Sequence, residues 1–311
     1  MKSQVKKMKK ILITGLHSYV GNSIEKYLRD YNAGAGTENY IVDKISLRGN
    51  DWKQVSFGDY DTILHVAGIA HADVSSVSKE EQKAYYDVNC NLAKEVAEKA
   101  REDGVKQFVY FSSVIIYGDS AGVGKEKIIS KDTLPAPANF YGDSKLQGEN
   151  AVQALETSEF RVAVLRLPMI YGRGSKGNFP ILVKLASKMP VFPSIHNQRS
   201  MLYIGNLAEF VRLLAEEQCG GVFYPQNEEY VTTAEMVKMI ATAKGKKIHM
   251  WSLLNPLVKV ASLLPGKIQK LANKAFGSLV IERELSEEKI TGYRRFSLEE
   301  SIKLSVRDIN G

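Results

Sequence analysis

At 311 residues, 44% of them hydrophobic and 25% charged, the chain is long enough to bury a full core as one large domain or two unequal ones. Its net charge of +7 and pI ≈ 9.1 favour anionic partners, yet lysines scattered among glutamates, rather than gathered with aromatics, argue against nucleic-acid binding. Two cysteines (Cys90, Cys219) and five histidines (His17, His65, His71, His196, His249) show no metal-ligand spacing, so no metal site is expected, and no apolar run approaches the roughly 20 residues that span a bilayer.

The opening Met1 to Lys10 is basic and runs into Ile11-Leu12-Ile13, imitating the start of a secretion signal. The apolar run ends at Thr14-Gly15 with no small-residue cleavage site, so a cytoplasmic protein with a short basic extension is expected. Lys10 to Thr14 reads as a strand and Tyr19 to Arg29 as an amphipathic helix. The turn between them is Thr14-Gly15-Leu16-His17-Ser18-Tyr19-Val20-Gly21. Its glycines would let backbone N–H groups and the helix N-terminus approach a pyrophosphate, with Ser18 standing where a middle glycine is usual.

Tyr40 to Leu47 predicts a second strand with Arg48 at its end. An arginine there would welcome a 2′-phosphate on an adenosine ribose, which leans the choice between NAD and NADP towards NADP; a plain solvated strand-end charge is the competing reading. The twelve residues between Arg48 and Asp61 leave no room for a crossover helix. Asp61 to Gly68 reads as a buried strand running into a glycine turn, Lys79 to Glu102 as helix, and Gln107 to Ser112 as a strand ending in Ser112-Ser113. Loop signals fill Gly118 to Asn139, a helix runs on to about Glu156, and Arg161 to Leu167 is another strand.

This alternation predicts an α/β fold, a Rossmann-type doubly wound parallel sheet with ligands at the carboxyl ends of its strands. Gly15, Gly68, Ser113 and Pro168 all fall at such ends. Residues 1–168 are expected to form the dinucleotide-binding domain and 169–311 mainly a smaller C-terminal α/β substrate lobe, with chain crossings back to the sheet left open. The later segments assigned to that lobe are a helix over Asn206 to Glu217, a strand over Gly221 to Tyr224 and a helix over Thr233 to Ala243.

Within the helix after Asn139, Tyr141 and Lys145 stand four residues apart and so share a face. A nearby cation stabilises phenolate and lowers a tyrosine pKa from about 10, fitting Tyr141 for proton transfer to or from a hydroxyl. Met250 to Phe276 mixes leucines with Lys259, Lys267, Lys270 and Lys274. Broken by Pro256 and Pro265, it is expected to pack on the second lobe, the alternative being a basic amphipathic surface on an anionic membrane.

Five ordered motifs together resemble an extended short-chain dehydrogenase/reductase, and more narrowly the NAD-dependent epimerase/dehydratase family that acts on nucleotide sugars. They are Thr14-Gly15 to Gly21, His65-Val-Ala-Gly68, Ser112-Ser113 to Tyr117-Gly118, Tyr141-Gly-Asp-Ser-Lys145, and Arg166-x-Pro168-x-x-Tyr171-Gly172. The resemblance covers essentially the whole chain, closing with Thr291-Gly-Tyr293 and Ser297-Leu-Glu-Glu300. It implies Tyr141 as general acid/base, Lys145 on the nicotinamide ribose, and Ser113 on the reacting sugar oxygen, with Ser112 its neighbour. It also implies Gly15, Ser18, Tyr19, Val20 and Gly21 along the pyrophosphate, Ala67 and Gly68 beneath the riboses, and Pro168 at the cofactor. Arg199 would grip a nucleotide diphosphate, and Asn178 matches a substrate-binding asparagine.

Departures from the family pattern set the substrate apart. The region after Arg48 lacks the usual acidic adenine-binding residue, Met169 replaces an asparagine, and Asn206 replaces an aspartate. The reading that follows is hydride transfer at carbon 4 of a UDP-hexose or UDP-4-keto-6-deoxy-hexosamine in bacterial polysaccharide precursor synthesis, by an epimerase or a 4-ketoreductase. A non-catalytic NAD(P)-sensing regulatory protein of the same fold is the alternative. Val114 and Ile115 lack the acidic pair of a dehydratase. The resemblance also implies a homodimer.

Overall fold

The computed structural model describes residues 8–70, 77–287 and 289–307. His71 and the first seven residues of the basic extension lie outside the described residues. Two compact units share the chain. The first comprises residues up to Ile116, Pro135–Leu167 and Leu207–Pro225; the second comprises Tyr117–Leu134, Pro168–Asn206 and Gln226 onward. The chain therefore passes between the units several times.

Six parallel strands form the sheet of the first unit: β1 (Lys9–Thr14), β2 (Tyr40–Ile45), β3 (Thr62–His65), β4 (Gln107–Ser113), β5 (Arg161–Leu167) and β6 (Gly221–Phe223), in the order β6-β5-β4-β3-β1-β2. The order reverses direction beside β1, which is the switch point where an open α/β sheet leaves a crevice at its carboxyl edge. Strands β3, β4 and β5 are almost wholly buried, and their centres are accordingly apolar, as both covered faces require. The strand over Gly221–Phe223 extends this sheet by pairing with Ala163–Leu165.

The short connection from β2 to β3 has no crossover helix, and Trp52 and Phe57 cover that part of the sheet instead. Both are buried, their rings stack with centroids 6.5 Å apart, and they join Leu12, Ile63, Val96 and Phe108 in one core. Burial of a side chain such as Phe57 stabilises this loop by about 1.5–3 kcal/mol.

The helical stretch expected over Lys79–Glu102 is interrupted. An α-helix over Lys79–Tyr86 gives way to a π turn over Asp87–Leu92 before an α-helix resumes over Ala93–Glu102. Asn89 lies in that turn, and its bonds to groups outside the helix account for the extra residue. Its buried amide accepts from Ile69 N at 2.9 Å and donates to Ile69 O at 3.1 Å and Ser144 Oγ at 3.0 Å, while its backbone carbonyl accepts from Tyr110 at 2.7 Å.

The second unit has its own core, built from Tyr171, Phe179, Phe192, Met201, Val237, Ile240 and Ile302. Its helices over Thr233–Ala243 and Leu298–Val306 each begin at a capping box, Thr232 with Glu235 and Ser297 with Glu300. Among the described residues no helix is long and apolar enough to cross a membrane.

Candidate active site

The carboxyl ends of β1, β3 and β4 meet the start of two helices. After β1, Gly15 adopts φ +114, a conformation that side chains rarely tolerate, and Ser18 then caps the Tyr19–Ala35 helix by accepting from Gly21 N at 3.3 Å. A Cβ on Gly15 would sit 3.1 Å from Ala67 N, and one on Gly21 would sit 2.9 Å from Ile13 Cγ2. The turn Gly15–Gly21 and the strand end at Ala67 are thus brought into backbone contact.

The first intrahelical bond runs from Asn22 N to Ser18 O, so the N–H groups of Tyr19 and Val20 precede the helical ladder, and no acidic residue stands in the first turn. Such a helix end is suited to an anion. The residues present therefore fit the pyrophosphate of a dinucleotide. Arg48 is exposed three residues beyond β2, its guanidinium without a partner among the described residues, whereas Asp43 is engaged by the Tyr60 hydroxyl at 3.0 Å.

The helix over Phe140–Gln153 starts at Asn139, whose side chain accepts from Tyr141 N and Gly142 N, both at 3.1 Å. Close approach of this helix to the sheet depends on glycine. A Cβ on Gly142 would lie 2.8 Å from Ile115 O, and one on Gly148 would fall 2.2 Å from Asn89 O. One consequence is that the Tyr141 phenol lies near the Ser113 hydroxyl at the end of β4, close enough for the serine to act on its pKa. One helical turn on, Lys145 is buried; its ammonium donates to Phe111 O at 2.9 Å and lies 5.0 Å over the Tyr110 ring. A Cβ on Gly68 would sit 3.0 Å from Lys145 Nζ. Gly68, Lys145, Tyr141 and Ser113 are therefore grouped on one edge of the sheet.

Their electrostatics differ from the sequence expectation. Burial pushes the Tyr141 phenol up to about 12, the nearby Tyr85 adds to this, and the neighbouring Ser113 hydroxyl only partly offsets it. The lowering expected from Lys145 is not what this arrangement produces, because the cost of placing phenolate away from water is larger. Burial likewise pushes Lys145 down to about 8, opposed by the carboxylate of Glu149.

A second difference concerns Ser112. Its hydroxyl is buried and hydrogen-bonded to Glu149, so any contact with a cofactor would have to come through its backbone. Glu149 in turn accepts from Arg166 Nε at 3.0 Å and Arg166 Nη2 at 2.8 Å. The sequence reading passed over Glu149 and Asn89. The signal available for both was a polar residue on an otherwise buried helical face, which is common in cores and carries no chemistry by itself.

Pro168, Asn178 and Arg199 belong to the second unit. Pro168 is buried directly after β5, and Asn178 is half-buried as the first residue of a helix over Asn178–Lys188 that follows Gly177 at φ +88. The Arg199 guanidinium donates to Lys274 O while its Nε is buried without a partner, and burial pushes its pKa down to about 10.

His65, at the end of β3, offers a test of the buried edge. Its Nδ1 is 2.9 Å from Thr14 Oγ1, and burial, reinforced by the Lys145 charge, pushes its pKa from 6.5 down to about 3. Above about pH 6.5 the ring is neutral whether the chain is folded or not. Below that, only the unfolded chain takes up the proton, so stability falls as pH drops towards 3. Urea unfolding is expected to show a loss of about 2 kcal/mol between neutral pH and about pH 5 from this group, and His65→Gln should remove that part of the dependence.

With this geometry in view, residues 11–224 match the NAD dependent epimerase/dehydratase family. The chain belongs to that family, and a nicotinamide dinucleotide is its cofactor. It is 27% identical to a UDP-glucose 4-epimerase of Vibrio cholerae, over 96% of this chain and 95% of that protein. It is 25% identical to an N-acetyl-alpha-D-glucosaminyl-diphospho-ditrans,octacis-undecaprenol 4-epimerase of Escherichia coli O157:H7, over 86% and 82%. The fold is also that of a dTDP-4-dehydrorhamnose reductase from Clostridium acetobutylicum, with a TM-score of 0.71 over 96% and 98% of the two chains at 19% identity.

Proposed function

We propose that this member of the epimerase/dehydratase family moves a hydride at carbon 4 of a nucleotide-linked hexose, UDP being the expected nucleotide, as a 4-epimerase or a 4-ketoreductase. The observation that carries the reading is the grouping of Tyr141 with Ser113 at the end of β4 and with Lys145 one helical turn further on, beside Gly68. Bound nicotinamide would accept or supply the hydride.

The protein's own part is to hold the sugar oxygen and move its proton. Tyr141 would exchange that proton through its hydroxyl, and Ser113 would donate to the same oxygen, fixing it within reach. Lys145, buried yet still largely protonated at neutral pH, would bind ribose hydroxyls and favour the phenolate once a substrate displaces the present contacts. Gly15, Ser18, Tyr19, Val20 and Gly21 would receive the pyrophosphate, Ala67 and Gly68 would run beneath the riboses, and Arg48 would select a 2′-phosphate. Asn178 and Arg199 would bind the sugar nucleotide, Arg199 through its diphosphate.

The test is to denature freshly purified protein, identify any released dinucleotide by mass, and titrate stripped protein with NADH and NADPH. UDP-hexoses and UDP-4-keto sugars are then followed by NMR. Retained NAD with interconversion of 4-epimers would identify an epimerase; preferential NADPH binding with reduction of the keto sugar would identify a reductase and Arg48 as the phosphate reader. Dinucleotide binding with no turnover of any sugar nucleotide would overturn the catalytic reading in favour of a sensor.

A further inference from the structure

Between Glu235 and Glu282 the sequence contains no aspartate or glutamate but eight lysines, Lys238, Lys244, Lys246, Lys247, Lys259, Lys267, Lys270 and Lys274. Within this acid-free stretch lie two short helices, Asn255–Leu263 and Lys267–Phe276, joined at Pro265-Gly266. Their inner end is already satisfied. Ala272 is buried, Phe276 packs against Phe192 with ring centroids 5.7 Å apart, and the carbonyl of Ala275 accepts from Thr233 Oγ1 at 2.6 Å.

The outer side is apolar and faces water. Leu253 is 72% exposed, Leu257 66%, Leu263 78% and Leu271 69%, with Val260, Leu264 and Ile268 also exposed among them. The expectation that these leucines pack on the second lobe is therefore not met by this structure. A cluster of this size on a protein surface marks an interaction site. Lys259, Lys267, Lys270 and Lys274, all exposed, border it.

We propose that this helical hairpin docks the protein peripherally on a bilayer containing anionic phospholipid. The leucines would enter the acyl boundary and the lysines would meet lipid phosphates, an arrangement open to short helices that cannot span a membrane. Charge decides against the other occupants. A second copy seated on the same face would set lysines against lysines, and a nucleic acid would take the lysines but leave the leucines in water. The inference goes beyond the proposed activity and does not depend on it.

The full chain is sedimented with vesicles of phosphatidylcholine mixed with phosphatidylglycerol, and with vesicles of phosphatidylcholine alone. It is expected to pellet with the mixed vesicles only, and to be released by high salt, which screens the lysines. Leu257→Ser/Leu263→Ser/Leu271→Ser and Lys259→Glu/Lys267→Glu/Lys270→Glu should each lower partitioning at least about tenfold with unchanged thermal midpoints, since every altered side chain is exposed. Wild-type fluorescence supplies a readout without substitution. Trp251 is exposed beside the hairpin and should shift to the blue with mixed vesicles, whereas Trp52 is buried and should not respond. No sedimentation and no shift would overturn the proposal, as would equal binding to both vesicle types. A concentration-dependent dimer abolished by the leucine substitutions, without vesicle binding, would assign the surface to a second copy instead.

Discussion

Tyr141→Phe is expected to lower turnover by roughly two to four orders of magnitude while leaving dinucleotide affinity within about twofold of wild type. The substitution removes one hydroxyl and keeps the ring, so its edge-on contact with Tyr85, at 5.9 Å between centroids, survives and the helix stays in place. What disappears is the proton carrier beside Ser113. Single-turnover absorbance of the nicotinamide, with cofactor titration of the same sample, separates the two effects. Near-full turnover in the variant would remove Tyr141 from the chemistry.

Glu149→Ala should cost about 3–5 kcal/mol of folding stability, measured by denaturant titration, because it removes the buried carboxylate that accepts from both Nε and Nη2 of Arg166. The Glu149 side chain is fully buried and that of Arg166 is nearly so, and Ser112 would lose its acceptor at the same time. Replacing Glu149 by glutamine keeps the shape and should cost less. It has a second, functional consequence, since Glu149 is the group that opposes the effect of burial on Lys145. Without that carboxylate the Lys145 ammonium gives up its proton at a lower pH, below about 8, so the alkaline limb of kcat/KM should move to lower pH. An unmoved limb would mean that Lys145 does not set it. Glu149 would then be a positioning residue for Arg166 and Ser112 alone.

The strand ends that group Gly15, Ala67, Gly68 and Ser113 were legible in the sequence because each follows a mainly apolar run and closes on a small residue. The spacing of Tyr141 and Lys145 was legible for the same kind of reason, since a helix of known pitch places them on one face. Asn89 was not. A π turn is stabilised by bonds to Ile69 and Ser144, which are distant in sequence, and helical periodicity averages over a single inserted residue. Nor could the sequence show which way the Tyr141 pKa would move: the sign depends on how much water the packed helix excludes, not on the distance to one cation.

The same division runs through the rest of the molecule. Local pattern was sufficient for the parallel α/β sheet, for the missing crossover after Arg48 and for the motifs of the family, because strand periodicity, glycine and helix spacing act over a few residues. Tertiary structure alone decided that Gly221–Phe223 joins the sheet, that Ser112 is held by Glu149, and that the leucines of the Asn255–Phe276 hairpin face outward. An apolar helical face looks identical in sequence whether it meets a core or water, and only the packing of its opposite side settles which face is free.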